Sequence, residues 1–138
     1  MLRRLAFLLA LPLLLGSCDK ESDTAAPVVS QTTFEAQIQG RGWLESWEEE
    51  QPGSDIKVFR PETATFPASW PRNGFRFEAD GVFIGRGPSP TDGVAVYPGR
   101  WLLVGNQTFR ITPSGQSNSY GLQVVSLEND ILKIRRVE

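Results

Sequence analysis

Cys18 is the only cysteine in the chain, and there is no histidine. Its sulfur is the good nucleophile at neutral pH. The absence of histidine excludes Ser-His-Asp and Cys-His catalysis, and with a single cysteine it excludes thiolate/imidazole zinc sites. No internal disulfide can form. Carboxylate, lysine, hydroxyl and tyrosine chemistry remain. Glu45, Glu49, Asp80 and Asp92 stand in or near expected strands and turns, but no spacing pairs them into an acid–base couple. Asp80 and Asp130 are better accounted for as turn residues. No EF-hand pattern is present, so calcium is not implied. The chain is expected not to be an enzyme, and no cofactor or metal is expected.

The elements before Cys18 give its thiol a setting. Arg3 and Arg4 form a basic head, Leu5 to Leu15 is an apolar run broken by Pro12, and two small residues follow. That order is a secretory signal. Spanning about 30 Å of hydrocarbon takes about 20 apolar residues. The run here reaches roughly half of that at about 1.5 Å per residue, so it engages a translocon without serving as an anchor.

Leu15-Gly16-Ser17-Cys18 resembles the lipobox of bacterial lipoproteins, matching all four positions. The resemblance implies cleavage before Cys18, a diacylglycerol thioether on its sulfur, and acylation of the new amino group by a chain such as palmitate. Two or more acyl chains anchor stably, at about 0.8 kcal/mol per buried CH2. The implied location is the bacterial cell envelope, on a membrane such as the outer membrane, facing the periplasm or the surface.

Removing residues 1–17 leaves 121 of 138 residues, which suits one domain. Without Arg3 and Arg4 the 14 basic residues fall to 12, against 16 acidic, so the remainder is net −4. No basic patch points to nucleic acid. Residues 18–32 read as the lipidated cysteine and a polar, flexible tether, and residues 33–138 as the folded domain. Thirteen glycines and ten prolines favour many turns over long helices.

In that domain, Thr33 to Gln39 reads as a strand or a short helical lead-in. Gly42 to Glu50 reads as a strand. Pro61 to Pro71 reads as a loop, with Trp70 as a lid or plug over the core. In Gly74 to Gly85, Phe75 and Phe77 alternate with Arg76 and Glu78. A three-residue loop, Ala79-Asp80-Gly81, pairs Phe77 with Phe83 and puts three phenylalanines on one face. A two-residue loop splits them, so the pattern selects the longer loop. Gly85 to Gly93 reads as a surface loop, and Pro98-Gly99 as a turn closing a short Val94 to Tyr97 segment. A Gly105-Asn106-Gln107 loop gathers Trp101, Leu103, Phe109 and Ile111. In the last hairpin, a bulge near Val124-Val125 reconciles the parity of Tyr120, Leu122 and Val124 with that of Val125 and Leu127. Its turn is at Asn129-Asp130, and Leu132 and Ile134 pair with Leu127 and Val125.

Successive hairpins without a helix-length pattern predict an all-β fold, an antiparallel up-and-down meander. Closure into a small barrel of about eight strands removes the edges; an open sandwich is the alternative. The layout over Gly40 to Arg136 resembles the lipocalin-like domains of small bacterial lipoproteins. The resemblance rests on the glycine turn into Trp43, the Phe75–Phe83 hairpin, Gly99-Arg100-Trp101-Leu102-Leu103 and the closing Val125–Ile134 hairpin. It implies that Trp43 closes the barrel base under a basic residue from the last strand, Arg135 or Arg136, as a cation–π contact. It departs from the family pattern in that Gly40 and Gly42, three and one before Trp43, flank the usual glycine position.

Two functions fit this reading. In one, the barrel binds a small apolar ligand, lined by Trp47, Phe75, Phe77, Phe83, Trp101, Phe109 and Tyr120. In the other, these side chains fill the core, and the domain is a structural or interaction module for an envelope protein.

Overall fold

The computed structural model describes residues 29–138, apart from Asn106. Cys18, the signal and most of the tether lie outside the described residues. Eight antiparallel strands form a closed barrel: β1 Gly42–Glu45, β2 Ile56–Pro61, β3 Gly74–Phe77, β4 Val82–Pro88, β5 Val94–Gly105, β6 Thr108–Pro113, β7 Tyr120–Glu128 and β8 Ile131–Val137. This is the expected architecture. From β3 to β8 each strand pairs with the next in sequence. The first two strands are exchanged, so β1 lies between β2 and β3, and β2 closes the barrel against β8.

The exchange has a topological consequence. β2 and β3 both run antiparallel to β1 and therefore parallel to each other. Parallel strands need a long crossover, and the interior is occupied, so residues 62–73 pass outside β1 from one barrel end to the other. Arg72 pins this crossover. Its guanidinium lies 4.1 Å from the Trp47 ring centroid and 4.7 Å from that of Phe66. It pairs with both Glu48 oxygens, at 2.9 and 2.5 Å, and donates to the carbonyls of Glu45 and Pro67.

The expected hairpin registers hold. Phe77 pairs with Phe83, and the Glu78 amide donates to the Val82 carbonyl at 2.8 Å. Asp80 and Gly81 take φ of 61° and 74°, which glycine adopts freely and aspartate tolerates. Trp101 pairs with Ile111 and Leu103 with Phe109. In the last hairpin the register shifts between Val124 and Ser126, as the parity conflict requires. Leu127 pairs with Leu132 as expected. The shift makes Val124, rather than Val125, the partner of Ile134.

Other stretches differ from expectation. Gly42 to Glu50 is a four-residue strand followed by a 3-10 turn over Trp47–Glu49. β4 runs through Gly85-Arg86-Gly87 to Pro88, and β5 runs unbroken through Pro98-Gly99. Glycine serves close approach here: a Cβ on Gly99 would stand 2.8 Å from the Thr112 carbonyl oxygen.

The hairpin turns at 79–81 and 129–130, the end of β5 and the start of β6 share one barrel end, the base. There Thr33 to Gln39 resolves as a lead-in helix. Its first turn, Gln31–Thr33, is α1, and a π-helical turn follows over Phe34–Ile38. The Ser30 hydroxyl caps it, accepting from the Thr33 amide at 3.1 Å. Phe34 and Ile38, four apart, share a face and are buried as a plug. The wall, plug and apolar core are all drawn from residues 29–137. This unit thus has closed edges and its own core, the requirements for folding without the residues that precede it.

Candidate functional site

The barrel interior is divided. Its lower half is a packed aromatic core. Phe77 is fully buried, with ring centroids 5.4 Å from Phe34, 5.8 Å from Trp101 and 5.0 Å from Phe109. Phe34 stacks on Phe109 at 4.5 Å. The Trp101 indole N–H donates to the Glu78 carbonyl at 2.9 Å, which satisfies the one polar atom of that ring. Phe77, Trp101 and Phe109 therefore serve packing. Trp101 and Phe109 also border a groove of about 360 Å³ beside the plug, lined by Val29, Phe34 and Leu103.

The upper half opens. A cavity of about 440 Å³ lies at the opposite end, the mouth. Phe59, Phe75, Phe83, Ile111, Tyr120 and Leu122 line it, from five different strands. Phe59 meets Phe75 at 4.8 Å, and Phe75 stacks on Phe83 at 6.0 Å. Space exists here because Gly85, which shares the face of Phe83, has no side chain; a Cβ there would already touch the Tyr97 carbonyl oxygen at 3.3 Å. Asn73, Arg86, Gln116 and Arg136 supply polar groups. An apolar concavity with a few convergent polar groups is the usual form of a small-molecule site. The groove at the base is walled on one side by the chain's own residues 29–31, and its charged lining residue is acidic, Glu35.

Of the expected lining residues, the mouth cavity brings together Phe75, Phe83 and Tyr120. Trp47 is excluded: it sits on the 3-10 turn outside the barrel, 38% exposed, against Arg72. Trp70 does not cap the core, being 80% exposed. Phe59, Ile111 and Leu122 were not anticipated as lining. The signal for two of them was available, since Ile111 shares parity with Phe109 and Leu122 with Tyr120.

Barrel closure also differs from expectation. Trp43 is fully buried at the base, and its indole N–H donates to the Ile38 carbonyl at 3.1 Å. The cation over it is Arg41, at 5.1 Å from the ring centroid. Arg41 also pairs with Asp130 at 3.1 Å. Arg135 instead pairs with Asp55 at 2.7 Å, and Arg136 stacks on Tyr120 at 4.3 Å. The reason is topological. β8 enters at the base and leaves at the mouth, beside β2, so its last residues stand at the end opposite Trp43. Arg41, two residues before Trp43, shares its parity.

Three of the carboxylates named from the sequence, Glu45, Glu49 and Asp130, have charged structural partners, and Asp92, like Asp80, takes a left-handed turn position. Glu45 is buried beside Lys57, at 3.1 Å, and accepts from the Asn73 amide at 2.9 Å. Glu49 accepts from Arg60 at 2.6 and 2.8 Å and from the Ser46 hydroxyl at 2.9 Å. Asp80 and Asp130 occupy left-handed turn positions, φ 61° and 58°. Among the described residues no cluster of three acidic, cysteine or histidine side chains could hold a metal ion.

The Arg60 hydrogen bonds hold the Glu49 carboxyl down at about 2, from an ordinary 4.5, against the opposing effect of desolvation. A carboxyl depressed on folding contributes stability that is fully present above about pH 5 and is lost as pH falls toward about 2. The pair is about one-third exposed, so salt weakens the contribution. Melting temperatures between pH 2 and 6 should therefore fall less steeply for Glu49→Gln than for the natural chain. Parallel curves would show that the pair adds no pH dependence. At the mouth, burial pushes the Tyr120 phenol up, and the nearby Arg136 charge partly opposes this.

The class defined by this geometry is a closed, eight-stranded antiparallel barrel plugged at its base and open at its mouth. No family model, curated protein or solved structure matches the chain.

Proposed function

We propose that this protein is a lipid-anchored component of the bacterial cell envelope whose barrel holds a small apolar ligand in its mouth cavity. The observation supporting ligand binding is the division of the interior. The lower aromatics pack on one another with the plug, whereas Phe59, Phe75, Phe83, Ile111 and Leu122 line a cavity of about 440 Å³. That volume falls at the small end of the roughly 300–1,000 Å³ range of ligand pockets. An environment-sensitive apolar dye titrated into residues 19–138 should show saturable one-to-one binding. A folded domain that leaves the dye unbound sinks the reading. Dye emission is the suitable signal, because Trp43 and Trp101 lie in the lower half and Trp47 and Trp70 outside the barrel.

The anchor rests on Leu15-Gly16-Ser17-Cys18 following an apolar run. Cys18→Ser removes the acylated sulfur. The variant should accumulate unprocessed and lose normal membrane attachment on fractionation. Wild-type processing and membrane recovery of Cys18→Ser would contradict lipid anchoring.

A further inference from the structure

The strongest unexplained feature is a cation at the mouth. β8 places Leu132 and Ile134 on the buried face, and Arg136 is the next residue of the same parity. Its guanidinium therefore stands at the rim of the cavity, stacked 4.3 Å from the Tyr120 ring centroid. Two of the other basic groups around it are committed. Lys57 lies 3.1 Å from Glu45 and 2.8 Å from Glu50, and Arg135 lies 2.7 Å from Asp55. Arg86, which also lines the cavity, lies 3.8 Å from Glu62, a carboxylate that Arg76 holds at 2.6 Å, and its buried Nε has no partner among the described residues. No carboxylate pairs with Arg136 among the described residues.

Below this cation the wall is apolar. Phe59, Phe75, Phe83, Ile111 and Leu122 descend from the rim into the cavity. Stacking on Tyr120 holds the guanidinium plane in place, so less freedom is lost when it engages a planar acceptor. A guanidinium binds a carboxylate through two parallel N–H···O bonds. Lys57 is already shared by two carboxylates, and Arg86 keeps a distant share of Glu62, so Arg136 is the lining cation with no carboxylate among the described residues.

We infer that the mouth cavity takes an amphipathic monoanion, a carboxylate whose apolar body enters the barrel while its head is held by Arg136 at the rim. This inference rests on the mouth being a ligand cavity and adds the class of ligand. An anionic head also fixes the direction of entry, since the floor formed by Phe77 and its neighbours offers it no partner.

The test compares two probes of nearly the same shape, naphthalene-2-carboxylate and naphthalene-2-carboxamide, titrated into residues 19–138 at pH 7. The carboxylate should bind at least tenfold more tightly. In Arg136→Gln that preference should shrink below twofold, with carboxamide affinity within twofold of the natural chain. Retained carboxamide binding also reports that the variant is folded and its cavity intact. Tyr120→Phe keeps the stacking ring and should retain most of the preference. Equal affinity for the two probes in the natural chain would overturn the inference while leaving the cavity in place. A preference that survives Arg136→Gln would also overturn it. Binding of neither probe, nor of the apolar dye, would overturn both the inference and the cavity reading on which it rests.

Discussion

Phe77→Ala should be the most damaging single substitution in the barrel, costing about 3–5 kcal/mol. Phe77 is fully buried and touches rings from three sources: the plug through Phe34, the neighbouring strand through Phe83, and the far wall through Trp101 and Phe109. Its removal leaves a void among aromatic side chains that the closed wall cannot collapse to fill. Typical domains have about 5–15 kcal/mol of total stability, so the variant should melt roughly 12–20 °C lower. Trp70→Ala is the control. Trp70 is 80% exposed, and its loss should shift stability by no more than about 0.5 kcal/mol. Thermal melts of the two variants side by side measure both. A small effect for Phe77→Ala with a large one for Trp70→Ala would mean that the packed region lies outside the barrel.

Leu122→Trp should have the largest effect on binding. Enlarging a side chain in a filled core forces strain of about 1–3 kcal/mol. Leu122 instead borders the cavity at the mouth, although its partner on the neighbouring strand β6 is the packed Phe109. An indole there can occupy the cavity itself. The expected result is a melting temperature within a few degrees of the natural chain, with dye affinity reduced at least tenfold. A large loss of stability would show that the mouth has no room for the added ring. Unchanged affinity would place the dye elsewhere.

Much of the fold was legible because closure of a barrel depends on parity. The Phe75–Phe83 and Trp101–Ile111 hairpins each have one register that gathers their large apolar side chains, and those registers are present. The conflict between Leu122-Val124 and Val125-Leu127 announced a bulge, which is found between Val124 and Ser126. Where parity gave no signal, the reading broke down. β5 carries exposed Val96, Leu102 and Val104 on its outer face as well as inward Trp101. Its two faces are alike in hydropathy, and Pro98-Gly99 looked like a turn. Gly85 and Gly87 suggested a loop because glycine weakens a strand signal, although in this wall Gly85 is what leaves the mouth open.

The site was legible in part. Phe75, Phe83 and Tyr120 were recognised as inward-facing, but sequence parity cannot tell a packed layer from an open one. That distinction depends on depth along the barrel and on the plug from Phe34 and Ile38. The exchange of β1 and β2 had no local signature either. It separates Trp43 from the end of β8, which gives the base its cation from Arg41 and frees Arg136 for the mouth. Trp47 and Trp70 were misplaced for the same reason: the crossover that carries Trp70, and packs Arg72 on Trp47, exists only because of that exchange.

The most direct measurement is the location of a bound probe. Residues 19–138, labelled for NMR, would be titrated with naphthalene-2-carboxylate while side-chain resonances are followed. Shifts confined to Arg136 and to Phe59, Phe75, Phe83, Ile111, Tyr120 and Leu122, with Phe34 unmoved, are the predicted result. Shifts centred on Phe34, Leu103 and Phe109 at the base, or none inside the barrel at saturation, would contradict a ligand cavity at the mouth.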